Sequence, residues 1–127
     1  HTGDLDAAIV AIETVDLSLG RLLKVVEEVS GIALITADHG NADEMFQWDK
    51  KNNDFAQSPE GSRRAKTSHT LNPVPLTIFD PSFRGEYELT PDLVRRGLSN
   101  VAATVFFLMG YEAPAGYDPS LVRKVKH

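Results

Sequence analysis

Four side chains stand out as candidate ligands of divalent metal ions: His1, Asp38, His39 and His69. Asp38 and His39 precede Gly40, which we expect to allow a sharp turn of the backbone. A carboxylate and an imidazole on such a loop can share a divalent transition metal, because together they suit manganese, zinc, iron or cobalt. The same residues also occur as ordinary loop residues, so their spacing suggests a metal site without establishing one.

A long amphipathic helix is predicted for residues 4–30, directly after His1. Its apolar residues recur at helical spacing on one stripe, and charged residues lie off that stripe. Gly31 follows, and we expect it to take the positive-φ conformation that commonly ends a helix. The helix therefore places His1 at the end of an element, where functional side chains cluster.

The apolar run at residues 32–37 is predicted to be a strand that is buried on both faces, as is typical of a parallel sheet. A helix followed by a strand and a polar loop indicates an α/β unit. In open α/β sheets, ligands bind beyond the carboxyl ends of the strands. Asp38 and His39 stand at that position.

A second strand is predicted at residues 74–80, and two prolines near its start should confine the pairing there. His69 stands just before this strand. Further on, Thr90-Pro91-Asp92 combines a capping hydroxyl with a proline at the first helical position, which indicates a helix start. Another helix is predicted over residues 100–109, and we expect it to be largely buried because it is apolar nearly all round.

Residues 47–67 are polar and hold few apolar anchors, so they are predicted to form an irregular surface excursion. Phe46 and Trp48 are expected to be hydrophobic anchors beneath it. Asp43 and Glu44, on the loop that follows His39, are interpreted as helix-start carboxylates or solvated loop charges.

Two clear strands are too few for an open α/β sheet, which normally has about five or six. The chain also lacks an initiator methionine. We therefore expect residues 1–127 to form a single partial domain of a longer protein, with the missing strands upstream.

Composition and charge exclude several classes of function. The net charge of −5 and the pI near 5.3 disfavour nucleic-acid binding. The two short basic clusters, at residues 63–66 and 123–126, are interpreted as a solvated loop and a frayed C-terminus. The absence of cysteine removes disulfides, thiolate zinc sites and cysteine nucleophiles, and it fits a cytoplasmic protein. No apolar run approaches the roughly 20 residues that span a bilayer.

Three motifs, in order, carry a resemblance to a known family. They are His1-Thr2-Gly3, then Thr36-Ala37-Asp38-His39-Gly40-Asn41-Ala42, then Ser68-His69-Thr70-Leu71-Asn72-Pro73-Val74-Pro75. The middle motif resembles the signature loop of the alkaline-phosphatase-like metalloenzyme superfamily. All three together resemble cofactor-independent phosphoglycerate mutases. The excursion at 47–67 and the stretch at 97–104 are similar to the plant and trypanosomatid branch, although many members carry aspartate and proline where this chain has Asn100 and Ala103.

The resemblance implies a fold and a set of site residues. The chain would be the C-terminal part of an alkaline-phosphatase-like, three-layer α/β domain with a mostly parallel sheet. Asp38 and His39 match two ligands of one metal ion, and His1 and His69 match two ligands of the other. The nucleophilic serine and most of the substrate-binding arginines of the family match no position here, so no catalytic residue is assigned to this chain.

The activity implied by the resemblance is interconversion of 3-phosphoglycerate and 2-phosphoglycerate in glycolysis, without bisphosphoglycerate as cofactor. In that family the serine accepts the phosphoryl group, and the glycerate receives it back on its other hydroxyl. The implied cofactors are two divalent ions, with Mn²⁺ preferred and Co²⁺ or Zn²⁺ as alternatives. The parent is expected to be a cytoplasmic monomer without nucleic-acid or membrane partners, whereas this chain alone should be inactive and should self-associate.

Two other interpretations stay open at this point. The signature loop alone also fits phosphatases, sulfatases, phosphodiesterases and phosphopentomutases, although the Asn-Pro-Val-Pro continuation at residues 72–75 argues against them. A non-catalytic α/β interaction module with incidental histidines is the third hypothesis, and it predicts no response of metal binding to Asp38→Ala.

Overall fold

The structure, a computed structural model, describes residues 2–125. Within this range it contains two α-helices, one 3₁₀ turn and six short strands. In chain order they are α1 (Leu5–Glu28), β1 (Ala33–Thr36), β2 (Trp48–Asp49), β3 (Asp54–Phe55), β4 (Leu76–Phe79), β5 (Tyr87–Leu89), the 3₁₀ turn (Leu98–Asn100), α2 (Val101–Leu108) and β6 (Val122–Lys124). The predicted mixture of helices and strands is therefore present.

Helix α1 confirms the long helix predicted after the N-terminus, and its two ends show how it is fixed. Asp4 is the N-cap, and its carboxylate accepts a hydrogen bond from the Ala7 N–H at 3.0 Å. At the other end Ser30 takes the left-handed conformation with φ 53°. The Gly31 N–H then donates to the Val26 carbonyl at 2.8 Å, the 6→1 bond of a Schellman motif. The role predicted for Gly31 therefore belongs to Ser30.

The strands β1 and β4 confirm the two predicted strands, but they pair antiparallel, with Thr36 opposite Leu76. All described strand pairs are antiparallel, whereas residues 32–37 were expected to belong to a mostly parallel sheet. The reason is the connection. A parallel neighbour requires a crossover, usually through a helix, and residues 37–75 contain no helix. Pairing starts directly after Pro75, as the prolines predicted.

The excursion at residues 47–67 is more ordered than the sequence suggested. Strands β2 and β3 form a small hairpin. Phe55 packs edge-on against Trp48, with ring centroids 5.2 Å apart, and against Phe46 at 6.0 Å. The Arg63 guanidinium lies 4.5 Å from the Phe55 ring centroid. Phe46 and Trp48 thus belong to an aromatic cluster that gives the excursion its own local structure, although Trp48 is 51% exposed and is not the anchor beneath the excursion that was expected.

The C-terminal part of the chain folds around α2, β5 and β6. Asn100 is 1% exposed and Thr104 is fully buried. The Asn100 side chain accepts from the Gly97 N–H and donates to the Pro119 carbonyl, both at 2.8 Å. An aspartate could not make the second bond without a proton. Asn100 is therefore a structural residue at this position, where many members of the family carry aspartate.

Two predictions for the C-terminal part were wrong. No helix starts at Thr90-Pro91-Asp92, because the Thr90 hydroxyl donates to the Ser120 carbonyl instead of capping a helix. The basic cluster at 123–126 is not frayed over its first half, since Arg123 lies in β6 and pairs with Glu88 at 2.8 Å.

The apolar surface of the described chain is unusually exposed. None of the residues of α1 is buried, and the helix packs face to face with no other described element. Helix α2 is only partly buried, with Ala103 and Thr104 inside and Val105 38% exposed, so its predicted burial holds for one face only. The chain exposes 9857 Å², whereas a folded monomer of 13.9 kDa exposes about 6,700 Å².

Among residues 2–125, no helix is both long and apolar enough to cross a membrane.

Candidate metal centre

The antiparallel register of β1 and β4 brings two loops to the same edge of the sheet. One loop, residues 37–44, leaves the end of β1, and the other, residues 68–75, enters β4. The Thr36 hydroxyl donates to the Pro75 carbonyl at 2.8 Å, and the Thr70 N–H donates to the Gly40 carbonyl at 2.8 Å. The loop carrying Asp38 and His39 therefore lies against the loop carrying His69.

The structure brings three of the four predicted ligands together. The rings of His39 and His69 are stacked, with centroids 3.5 Å apart and planes inclined by 13°. The Asp38 carboxylate lies 3.6 Å from the His39 Nε2 atom, and its side chain is 86% exposed. The fourth predicted ligand, His1, lies outside the described residues.

The orientation of His39 favours coordination through one particular nitrogen. Its Nδ1 atom lies 3.2 Å from the Gly40 carbonyl, which can only accept a hydrogen bond. In the neutral ring Nδ1 then carries the proton and Nε2 is left with a lone pair. A backbone carbonyl that holds the second nitrogen of a histidine is the usual support for a metal ligand.

The donor atoms fit divalent transition metals, since imidazole and carboxylate are ligands that such ions accept. Within residues 2–125, however, no group of three or more histidine, aspartate or glutamate side chains gathers at one point that could hold an ion. The described part of the chain therefore brings candidate donors near one another without completing a ligand set.

A group that the sequence interpretation missed joins the two loops. The Asp43 carboxylate accepts hydrogen bonds from the Thr70 hydroxyl at 2.8 Å and from the Asn72 amide at 2.5 Å. The bonds from Asn72 and Thr70 hold the pKa of Asp43 below its ordinary value. We call Asp43, Thr70 and Asn72 the Asp43 clamp. Asp43 does not start a helix, and it is an exposed loop charge, as one of the two expectations had it. The sequence did not show that it also joins the two loops, because its partners are distant.

Gly40 has a different role from the one predicted. It does not take a positive φ. A Cβ atom at this position would overlap the Thr70 hydroxyl and lie 2.6 Å from Asp43 Oδ1. Glycine is therefore required here because the two loops approach closely, and not because the backbone turns sharply.

The segment that follows His1 also contacts this region. A Cβ atom on Gly3 would lie 2.6 Å from the Ala65 Cβ atom, so the two backbones approach closely. Thr2, Gly3 and Asn41 line one cavity of about 80 Å³, and Asn41 Nδ2 has no hydrogen-bond partner within residues 2–125. Lys66 forms an ion pair with Glu44 beside them. The N-terminal segment thus lies next to Asn41 of the 37–44 loop and next to residues 65–67, which precede the other loop.

A cavity of about 540 Å³ opens beside Asp38 and His39. Its walls come from the two loops and from the C-terminal part of the chain, including Leu98 and Leu121. Asp38 and His39 line this cavity together with residues 70–74 of the second loop, so a bound group would meet both loops.

Carboxylate and imidazole side chains on two loops at one sheet edge are an arrangement that suits a metal site in an α/β protein. The chain belongs to the Metalloenzyme superfamily, whose family model matches residues 1–113.

The chain is also similar to individual proteins that have a more specific description than this superfamily. The chain is 50% identical over 122 residues to the 2,3-bisphosphoglycerate-independent phosphoglycerate mutase of Trypanosoma brucei brucei, covering 96% of this chain and 22% of that protein. It is 44% identical over 126 residues to such a mutase, number 1, of Arabidopsis thaliana, covering 99% of this chain and 22% of that protein.

A solved structure of a Leishmania mexicana phosphoglycerate mutase, obtained at low cobalt concentration, superposes with a TM-score of 0.89 at 44% identity. It covers 98% of this chain and 23% of that one. The resemblance to trypanosomatid and plant mutases and the α/β fold class are therefore confirmed. The chain spans about a fifth of the length of the relatives it matches.

Proposed function

We propose that this chain is the C-terminal part of the metal-binding domain of a cofactor-independent phosphoglycerate mutase. The whole enzyme would interconvert 3-phosphoglycerate and 2-phosphoglycerate through a phosphoserine intermediate. The observation that carries the proposal is the meeting of His39 and His69, whose rings lie 3.5 Å apart, in a chain with relatives of that name at up to 50% identity.

The chain would contribute ligands to two divalent ions. Asp38 and His39 would hold one ion, and His69, together with His1, would hold the other. Mn²⁺ is the preferred ion, with Co²⁺ and Zn²⁺ as alternatives, because all three accept imidazole and carboxylate ligands. Bound divalent ions supply positive charge that stabilises a transferring phosphoryl group and lowers the pKa of a hydroxyl nucleophile.

The residues of this chain would bind and orient, and would not attack the substrate. The Gly40 carbonyl fixes the His39 ring so that Nε2 faces the side of Asp38. The serine nucleophile and the arginines that recognise phosphoglycerate would come from other parts of the protein. This chain by itself would therefore be inactive as a mutase.

The remaining assignments follow from the proposed role. The whole enzyme would act in glycolysis as a cytoplasmic monomer, with phosphoglycerate as its small-molecule substrate and without nucleic-acid or membrane partners. The large exposed surface supports a self-associating chain when it is isolated, since α1 presents apolar side chains such as Ile12 and Leu22 at 57% and 63% exposure.

The test is an assay of the full-length protein that carries this chain, with Mn²⁺ present and bisphosphoglycerate omitted. We expect conversion of 3-phosphoglycerate to 2-phosphoglycerate by the full-length protein and none by residues 1–127 alone. Release of inorganic phosphate from phosphate esters without mutase activity would contradict the proposal and favour a phosphatase or phosphodiesterase of the same superfamily.

A further inference from the structure

The Asp43 clamp connects the two loops that carry the candidate ligands. Asp43 stands four positions after His39 on the first loop, and Thr70 directly follows His69 on the second. The Thr70 hydroxyl and the Asn72 amide both donate to the same atom, Oδ2 of Asp43. One carboxylate oxygen of Asp43 therefore accepts hydrogen bonds from two residues of the second loop.

Both ends of the clamp are fixed by further contacts. Thr70 is only 7% exposed, and its N–H donates to the Gly40 carbonyl. Glu44, next to Asp43, accepts from the Asn72 amide at 3.0 Å. Because Thr70 is adjacent to His69 and Gly40 is adjacent to His39, a movement of the clamp would move both imidazoles.

We propose that Asp43 is a positioning residue that sets the spacing between the His39 side and the His69 side of the two-metal site, without binding metal itself. This inference rests on the proposed function, and it adds a residue to which the family resemblance gave no role.

The orientation of the Asp43 carboxylate supports this role over direct coordination. Oδ2 is occupied by Thr70 and Asn72, and Oδ1 lies against Gly40. Hydrogen bonds to an ionised carboxylate are shorter and stronger than neutral ones. The carboxylate is therefore committed to holding the loops together.

The distance between the two metal ions matters for phosphoryl transfer. Paired catalytic ions lie about 3.5–4 Å apart, so that both can act on one phosphoryl group. Loss of a residue that orients metal ligands typically lowers metal affinity or activity by about 10–100-fold. A clamp that fixes two ligand loops acts on both ions at once.

The experiment compares variants of the full-length protein. Asp43→Ala removes the acceptor, whereas Asp43→Asn keeps one oxygen that can accept from both partners. Thr70→Val removes the donor hydroxyl at nearly constant volume, and Thr70→Ser restores it. The matched control is Asp49→Ala. Asp49 also accepts several hydrogen bonds, from the N–H groups of residues 51 and 52 and from the side-chain amide of residue 52. These bonds all lie within the hairpin turn and do not join two loops.

Three properties are measured: Mn²⁺ binding by titration calorimetry, the spin coupling between two bound Mn²⁺ ions by electron paramagnetic resonance, and kcat and KM. For Asp43→Ala and Thr70→Val we expect Mn²⁺ affinity at one site to fall by about 10–100-fold. The coupling signal should weaken and kcat should drop with KM unchanged. Asp43→Asn and Thr70→Ser should recover most of each property, and Asp49→Ala should match the wild type.

Two coupled Mn²⁺ ions bound with wild-type affinity in Asp43→Ala, or in Thr70→Val where Asp43→Ala does not fold, would overturn the inference. Mn²⁺ affinity and spin coupling are measured without any enzymatic turnover. A wild-type protein that binds two ions but lacks mutase activity would thus contradict the proposed function alone, and the variants would still decide the role of Asp43.

Discussion

The ligand-bearing loops and helix α1 differ in what holds them in place. The loops at 37–44 and 68–75 contain almost no regular structure, yet they are joined by backbone, hydroxyl, amide and carboxylate hydrogen bonds between residues far apart in sequence. Helix α1 is the longest element, yet it is fixed by its own caps and buries no residue. Long-range polar contacts therefore define the candidate site, whereas the helix still lacks the contacts that its apolar residues require.

The largest effect should follow from removing a ligand on the loops. In the full-length protein we expect Asp38→Ala or His39→Ala to lower Mn²⁺-dependent mutase activity by more than about 100-fold, because loss of a mere supporting residue already costs about 10–100-fold. Steady-state kinetics measures this. Asp49→Ala, which changes only the hairpin turn, should keep wild-type activity, and equal activity in all three variants would refute the ligand assignment.

A pair of glycine substitutions compares the two regions directly. Gly40→Ala places a methyl group where it overlaps Thr70 and Asp43, so we expect a loss of about 1–3 kcal/mol in the free energy of unfolding and a clear loss of activity. Gly20→Ala lies in α1 with open space around the new Cβ atom. It should stabilise the helix by about 0.5–1 kcal/mol.

Denaturant unfolding of both variants in the full-length protein provides the measurement. A lower free energy of unfolding in Gly40→Ala and a higher one in Gly20→Ala would confirm that the loops are tightly packed and that position 20 of the helix is not. A destabilising Gly20→Ala together with a neutral Gly40→Ala would reverse the comparison.

The exposed apolar side of α1 should control self-association of the isolated chain. Ile12→Lys and Leu22→Lys should each weaken association by about 1.5–3 kcal/mol, the free energy of burying one such side chain. Helix content should persist, since lysine is a good helix former. Sedimentation velocity and circular dichroism measure the two quantities, with Glu13→Gln as a control on the same helix. Unchanged association in both lysine variants would show that α1 is not the contact surface.

The smallest effect concerns acid stability of the loops. The pKa of Asp43 is lowered in the folded state from its ordinary value of 3.8, first by the bond from Asn72 and then by that from Thr70. Its contribution to stability is therefore complete above pH 3.8 and is lost as the pH falls through the lower folded value. Unfolding of wild type and Asp43→Ala between pH 6 and about pH 2 tests this. The wild type should lose part of its advantage only below pH 3.8, and an advantage constant with pH would contradict it.

The sequence predicted the parts of the fold that depend on local patterns. Helical periodicity gave α1, and short apolar runs gave β1 and β4. The errors have tertiary causes: the hydroxyl of Thr90 has a distant acceptor in Ser120, so no helix starts there, and the strand pairing depends on how residues 37–75 connect β1 to β4.

The candidate ligands were predicted from residue type and motif. The hydrogen bonds that hold their two loops together were not predicted. Asp38, His39 and His69 were identified from the sequence, and the structure brings them together. Asp43 was missed because its hydrogen-bond partners are 27 and 29 positions away. No local pattern carries that information.

The proposed function requires that this chain supplies ligands to two separate metal ions. Native mass spectrometry of the full-length protein, loaded with Mn²⁺, counts them directly. We expect two ions in the wild type, one in Asp38→Ala or His39→Ala, one in His69→Ala, and none when Asp38→Ala and His69→Ala are combined. Two ions retained in every variant would contradict it.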